Sequence, residues 1–406
     1  MMKRLLTTLV AMATLMPLSA QNAPTGQMEA LDRGLVALPG ANNTGNFVSW
    51  RKLGTDDEAT TSFDLYNGDE LIASDIFVTN FQHNTGTKNA SYRVVTKVDG
   101  IATETSPEVK PWPGVCLTLK LQRPASGITK PYTTTVNKET VSFPNGQVYS
   151  YTPNDMSVGD VDGDGQMELF VKWDPTNAKD NSHNGVTGIV YIDCYKFVSD
   201  GSVPEAQLLW RIDLGRNIRA GAHYTQFLVY DFDNDGKAEL MCKTGPGTKD
   251  GLQQYVSQAA TDDAIRSVDD SKDWTSEGAG RVVGGQEWLT VFNGETGAAE
   301  HTVFYNPNRN MGYGGAADGS VNWGVGKNDT GSYGNRGERF LAAVAWLDGP
   351  LGRPSAVFCR GYYDYAFLWA VDYYDGRLHQ KWLSSNKSGL PFHQKAALTR
   401  AKPLPL

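Results

Sequence analysis

The chain has 406 residues, of which 40% are hydrophobic, 11% aromatic and 43 glycine; this balance favours short strands and turns and allows more than one core. Lys and Arg number 37 against 45 Asp and Glu, a formal charge of −8 with no basic block, so the electrostatic footprint of a nucleic-acid partner is missing. The class expected is all-β.

Residues 1–20 have the pattern of an export signal. Lys3 and Arg4 precede an apolar run from Leu5 to Leu18, and Ser19-Ala20 before Gln21 suits cleavage after Ala20. The run is shorter than the roughly 20 residues of a bilayer span, and no later segment qualifies. Export to the periplasm, the cell surface or the medium is expected, without a membrane span. Cys116, Cys194, Cys242 and Cys359 lie far apart, mostly in strand-like runs, which favours buried free thiols over a disulfide framework.

Residues 25–130 alternate in strand fashion, most clearly at 46–51, 62–66 and 91–96, with turns at Asn67-Gly68 and Asp99-Gly100. With Trp50 early and Tyr92 late, the pattern is that of an immunoglobulin- or fibronectin-like β-sandwich. Pro111, Pro113, Pro124 and Pro131 mark the passage onward. Residues 136–390 then repeat a unit. GDVDGDGQMEL at 159–169 recurs as YDFDNDGKAEL at 230–240, and each copy leads into an apolar strand carrying a lysine, Lys172 or Lys243. A third unit lacks the acidic loop and runs through 343–348, 357–360 and 370–376 to Trp382. Irregularly spaced units of about four strands fit blades of a β-propeller. The ring would be incomplete within this chain, and 391–406 shows no strand pattern.

Asp160, Asp162 and Asp164 fall at alternate positions of a tight loop, followed by Gly165 and Glu168; Asp231, Asp233, Asp235 and Glu239 repeat the arrangement. Hard oxygens converging on one point favour Ca²⁺. The carbonyls of Gln166 and Lys237 are expected as further ligands. Val171 and Cys242 stand where an EF-hand would place its last carboxylate, so these are shorter loops entering strands. Three uncompensated carboxylates would repel one another. The ions are expected to be structural, pinning loops whose flanks shape the functional face.

Strings rich in Trp, Tyr, Asn, Asp and Arg at 151–155, 172–181, 216–226 and 360–363 suit a sugar cleft, since aromatic rings stack on pyranose faces and amides or charges bond hydroxyls and carboxylates. Each string also has a plainer reading: Trp173 as core, His223 as a satisfied structural histidine, Arg360 as the partner of a neighbouring carboxylate. Serine-hydrolase, phosphate-loop and zinc spacings are absent.

The strings 157–165 (SVGDVDGDG), 171–175 (VKWDP), 210–215 (WRIDLG), 217–226 (NIRAGAHYTQ) and 359–363 (CRGYY), with 28–37 (MEALDRGLVA), resemble those of family 11 rhamnogalacturonan lyases. The resemblance implies a β-sandwich followed by an eight-bladed propeller with several Ca²⁺ ions. It implies eliminative cleavage of rhamnogalacturonan I, the pectin backbone of alternating rhamnose and galacturonic acid, and a family chain that continues beyond this one with further cleft residues. Asn154 and Asp174 match positions that line the family's cleft. Tyr224 and Tyr362 are further expected substrate contacts, Arg219 and Arg360 are nominated for the substrate carboxylate, and His223 is nominated as base. A monomer is expected, with a pectic polysaccharide as partner. The alternatives are a non-catalytic calcium-stabilised carbohydrate-binding module, an inactive truncated lyase and, more weakly, a hydrolase on the same polymer.

Overall fold

A computed structural model describes residues 31–40, 44–198, 205–308, 338–349, 352–361 and 366–385. The expected signal segment, the tail and Tyr362 lie outside the described residues. Among these residues no helix is long and apolar enough to cross a membrane.

The N-terminal unit has seven strands: β1 (Val36–Pro39), β2 (Asn46–Ser49), β3 (Thr61–Asn67), β4 (Glu70–Ile76), β5 (Asn80–His83), β6 (Tyr92–Val98) and β7 (Ile101–Thr105). They form two antiparallel sheets, ordered β1-β2-β5 and β4-β3-β6-β7. Strict alternation in β6 turns Tyr92, Val94 and Thr96 inward, as a period of two requires. Tyr92 and Val94 meet Ala37, Val48 and Trp50 of the other sheet in one core. The hairpin from β6 to β7 turns at Asp99 and Gly100, both at positive φ, the geometry of a type I′ turn. Arg33 closes the edge, buried against Asp56 at 2.6 Å and Glu104 at 2.7 Å.

Two small ribbons follow, pairing β8 (Gly127–Ile128) with β11 (Val148–Tyr149) and β9 (Tyr132–Val136) with β10 (Glu139–Phe143). Three four-stranded antiparallel meanders come next. The first comprises β12 (Tyr151–Gly159), β13 (Glu168–Pro175), β14 (Tyr191–Val198) and β15 (Glu205–Asp213). The second comprises β16 (Phe227–Tyr230), β17 (Glu239–Thr244), β18 (Trp288–Phe292) and β19 (Ala299–Phe304). The third comprises β20 (Phe340–Ala345), β21 (Ser355–Arg360), β22 (Phe367–Tyr374) and β23 (Arg377–Ser385). Between β17 and β18 the polar insertion folds into a 3₁₀ turn, Val256–Ala259, and the single helical turn α1 (Asp263–Arg266), which Asp262 caps by accepting the Ala264 N–H at 2.8 Å.

The meanders stack face to face, and alternation sets how. In the second sheet Leu240, Cys242, Trp288 and Phe292 pack against Phe170, Ile192, Cys194 and Trp210 of the first. The intervening Met241, Leu289 and Val291 pack against Phe358, Trp369 and Val371 of the third. The second sheet is therefore covered on both faces, which is why β17 and β18 are buried at every residue. The outer face of the first sheet is covered by Tyr149 and Leu121 over Tyr151, Val171 and Trp173. Trp173 is thus core, its indole N–H donating to Asp193 at 2.8 Å.

One expectation changes. Cys116 is exposed, while Cys194 and Cys242 are buried and Cys359 is half-buried, all four unpaired; Cys116 lies in the irregular passage after β7, which offers no sheet face to bury it. Residues 151–155 and 172–175, within the strings that suit a sugar cleft, belong to the paired strands β12 and β13. Phe292, fully buried where two sheets meet, provides a test: Phe292→Ala should destabilise the meander region by about 3–5 kcal/mol, measured by chemical unfolding. A loss below about 1 kcal/mol would contradict the two-sided core.

Candidate functional site

The β12–β13 hairpin carries chemistry at both ends. At one end Gly159 pairs with Glu168 across the first acidic loop; at the other Thr152 pairs with Asp174. Six residues of strand separate Glu168 from Asp174, roughly 20 Å at 3.3 Å per residue. The acidic loops and the expected cleft residues therefore occupy opposite ends of the sheets. The acidic loops flank the other rim, so shaping of the functional face falls to different segments.

At the cleft end, register breaks between Pro153 and Met156, a bulge that re-aims the residues it contains. Those are Asn154 and Asp155. Asn154 Nδ2 donates to Asp174 Oδ2 at 2.8 Å, and Asp155 pairs with the buried ammonium of Lys172. Asp174 Oδ1 is buried without a partner. Burial, with Asp155 adding to it, raises the Asp174 pKa above the usual carboxylate range, against the opposing pull of Lys172 and the Asn154 hydrogen bond. An orphan acceptor beside a fixed amide is suited to a sugar hydroxyl.

His223 lies on the connection from β15 to β16, about one-third exposed, its Nε2 3.9 Å from Asp180. Its carbonyl accepts from the Phe340 N–H at 3.1 Å, tying this connection to the third sheet. Burial and then the charge of Arg339 push its pKa below the usual histidine value; Lys172 acts in the same sense and Asp180 against it. The imidazole is consequently neutral at pH 7 and able to accept a proton.

The two nominated arginines are placed otherwise. Arg219 is buried, and its guanidinium donates to backbone carbonyls of Lys179, Asp180, His183, Gly185, Ala279 and Gly280; burial lowers its pKa to about 10. Arg360, 1% exposed, pairs with Glu287 at 2.6 Å and Glu338 at 3.3 Å. Lys243 joins it, 2.9 Å from Glu287 and 4.2 Å from the Phe340 ring centroid. Both arginines thus clamp loops and sheets together, because buried guanidinium groups are held by whatever acceptors surround them. Tyr224 is likewise buried, its hydroxyl accepting from the Asn181 N–H. Asp155, Lys172, Asp180 and Arg339 join the candidate site without having been nominated individually. The first three lie in the strings at 151–155 and 172–181 that suit a sugar cleft, whereas Arg339 lies outside every such string.

At the other rim the two acidic loops differ. One carboxylate oxygen from each of Asp231, Asp233, Asp235 and Glu239 lies within 4.8 Å of the others, and the same holds for Asp160, Asp162 and Glu168. In the second loop, none of the four forms an ion pair with a Lys or Arg among the described residues. Burial, reinforced by the neighbouring carboxylates, pushes Glu239 up to about 10 and Asp231 up to about 6. This donor set fits a hard divalent cation, which would replace the protons that crowding otherwise demands. In the first loop Asp164 is not in the cluster: it accepts from the Gln166 N–H at 2.8 Å and from Lys196 at 2.8 Å. Lys196 also pairs with Asp162 and lies 3.9 Å from Glu168, so an ammonium already stands where a cation would sit. The Asp160 oxygens accept backbone N–H groups of Gly163, Asp164 and Gly165. Lys237 donates its N–H to Asp235 at 2.8 Å, as Gln166 does to Asp164.

A carboxyl whose folded pKa exceeds its unfolded value keeps a proton that the unfolded chain has released between the two values, so stability falls as pH rises across that interval. For Glu239 the interval runs from 4.5 to about 10. In chelator the melting temperature should therefore fall as pH is raised from 5 to 9, and calcium should remove most of the decline. Calorimetry at several pH values checks this; a calcium-induced gain that does not grow with pH would contradict the reading of the second loop.

The profile of the rhamnogalacturonan lyase family 11 C-terminal domain matches residues 133–397, and that of the rhamnogalacturonan I lyase beta-sheet domain matches residues 26–112. The rhamnogalacturonan exolyase YesX of Bacillus subtilis is 45% identical over 366 residues, covering 89% of this chain and 51% of that protein; the endolyase YesW of the same organism is 44% identical over 387 residues, covering 95% and 54%. The crystal structure of YesX superposes with a TM-score of 0.72 over 92% of this chain and 53% of that one at 43% identity, and a Bacillus licheniformis rhamnogalacturonan lyase gives 0.66 at 42%, covering 92% and 55%. The chain spans about half the length of these relatives. With one profile spanning more than half of the chain, the protein belongs to rhamnogalacturonan lyase family 11.

Proposed function

We propose that the protein is an exported, calcium-stabilised polysaccharide lyase that cleaves rhamnogalacturonan I by β-elimination at galacturonate, on a propeller rim formed by the cleft ends of the stacked meanders. The observation that carries this reading is the Asn154–Asp174 pair on a strand bulge, with a neutral imidazole at His223 sharing the field of Lys172. Three meanders stacked face to face support the propeller. So does the third sheet's far face, where Leu341 and Leu368 are exposed on either side of Cys359, an apolar row suited to another sheet. The charged, apolar and small-residue order of residues 1–20 supports export.

Asn154 and the orphan Asp174 oxygen hold sugar hydroxyls. His223 takes the C5 proton of the uronate, its electron pair forms the C4–C5 double bond, the C4–oxygen bond breaks, and the departing oxygen is protonated from solvent. Arg339, whose charge reaches the imidazole, offsets the uronate carboxylate in place of the buried Arg219 and Arg360. Calcium, when bound at the opposite rim, would be held by Asp231, Asp233, Asp235 and Glu239 and would supply structural cross-linking of the second acidic loop.

Incubation of the calcium-loaded protein with rhamnogalacturonan I should generate the ultraviolet absorbance of an unsaturated uronide. His223→Ala should lower turnover by about 10²-fold or more with unchanged melting temperature. Since burial and the charge of Arg339 hold the His223 pKa below the ordinary histidine value, the rate should fall with acid only at a lower pH than an unperturbed imidazole base would give. Polymer binding without any unsaturated product would replace the lyase by a non-catalytic module, and saturated ends would replace it by a hydrolase.

A further inference from the structure

Asp180 and His223 lie on two connections, from β13 to β14 and from β15 to β16, and the chain ties both to one frame. The Lys179 N–H donates to the Ala220 carbonyl at 2.9 Å, and the guanidinium of Arg219 donates to the Asp180 and His183 carbonyls at 3.3 and 2.9 Å. The carboxylate of Asp180 accepts from the Ser182 N–H at 2.8 Å and from the Tyr224 hydroxyl. Tyr224 also packs edge-on against His223, with ring centroids 6.4 Å apart. Burial works against ionisation of Asp180, but the hydrogen bonds from Ser182 and Tyr224 and the charge of Arg339 outweigh it and hold its pKa below the usual carboxylate range. An ionised carboxylate therefore stands 3.9 Å from His223 Nε2. That separation is beyond a hydrogen bond and within ion-pair reach, so the attraction is greatest once the ring is protonated.

We propose that Asp180 is the positioning residue of His223: it holds the imidazole in the tautomer protonated at Nε2, leaves Nδ1 as the accepting nitrogen, and balances the imidazolium once that forms. A neutral imidazole has one nitrogen that donates and one that accepts, and a carboxylate on the Nε2 side favours the proton there. When Nδ1 takes the C5 proton of the uronate, the electron pair of that C–H bond enters the C4–C5 double bond and the ring gains one positive charge. Asp180 attracts this charge, whereas Arg339 and Lys172 oppose it. Glu338, next to Arg339, is engaged by Arg360 at 3.3 Å. Arg219 and Tyr224, both buried, thus serve the reaction without touching substrate, by fixing Asp180. The part Asp180 plays in elimination rests on the reading of His223 as base, and the pairing itself does not.

The test uses the full, calcium-loaded chain with ¹⁵N- and ¹³C-labelled histidine, the His223 ring being assigned by its loss in His223→Ala. Near pH 8 the ring nitrogen resonances of the unaltered protein should show the proton on Nε2; a proton on Nδ1 would overturn the proposal with no further variant needed. Asp180→Asn, which keeps an acceptor for the Ser182 N–H, should lower the His223 pKa, because a charge that favours the imidazolium is removed. On rhamnogalacturonan I its kcat should fall about tenfold or more, as loss of a charged partner does, with KM little changed and the acid limb of the rate moved to lower pH. Asp180→Glu should restore part of both. An unchanged His223 titration, or a loss of turnover with an unmoved acid limb, would overturn the pairing. Because tautomer and titration are read without substrate, their appearance in a protein without turnover would leave the pair standing and remove the lyase, and turnover with an unmoved titration would do the reverse.

Discussion

Opposite orientation of successive residues in β17 and β18 is the constraint on which the meander region depends. One strand residue in two reaches the first sheet and the others reach the third, so the second sheet cannot slip by one residue without exchanging its partners. The burial is continuous, leaving these strands almost without polar residues in the middle. Polar and charged groups are pushed to the strand ends. The two rims where chemistry can occur are thus a consequence of how the apolar residues are shared out.

The rims carry different charge problems. At one, carboxylates crowd in two tight loops linked through the Ala238 N–H to the Asp160 carbonyl at 2.7 Å, one compensated by Lys196 and the other without a Lys or Arg ion pair among the described residues. At the other, Lys172, Lys243 and Arg360 lie in the C-terminal halves of the second strands of consecutive sheets, each neutralised by a carboxylate. Buried ion pairs of this kind contribute little net stability but penalise misplacement of either partner. They therefore fix the surroundings of the more exposed His223 and of the Asn154–Asp174 pair.

Much of this was legible in residue order. Alternation located the strands and the Asp-x-Asp-x-Asp-Gly spacing located the acidic loops; Asn154 and Asp174, which lie 2.8 Å apart, were indicated individually by the family resemblance and by no pattern in the residues themselves. Arg219 and Arg360 show where residue type stops informing. A guanidinium suits a substrate carboxylate and an internal glutamate equally well, and only the folded chain brings Glu287 and Glu338 to Arg360, or six carbonyls to Arg219. The bulge at Asn154 was equally hidden, since an unpaired residue is a property of two strands together.

The order of residues by itself determined an all-β chain of repeated units with two clusters of hard oxygen ligands, because periodicity and ligand spacing are local and survive in one dimension. Which end of a sheet the Asn154–Asp174 pair occupies and which cations are already neutralised were decided only by tertiary structure. Those properties depend on distances between residues far apart in the chain, and sheet stacking sets them.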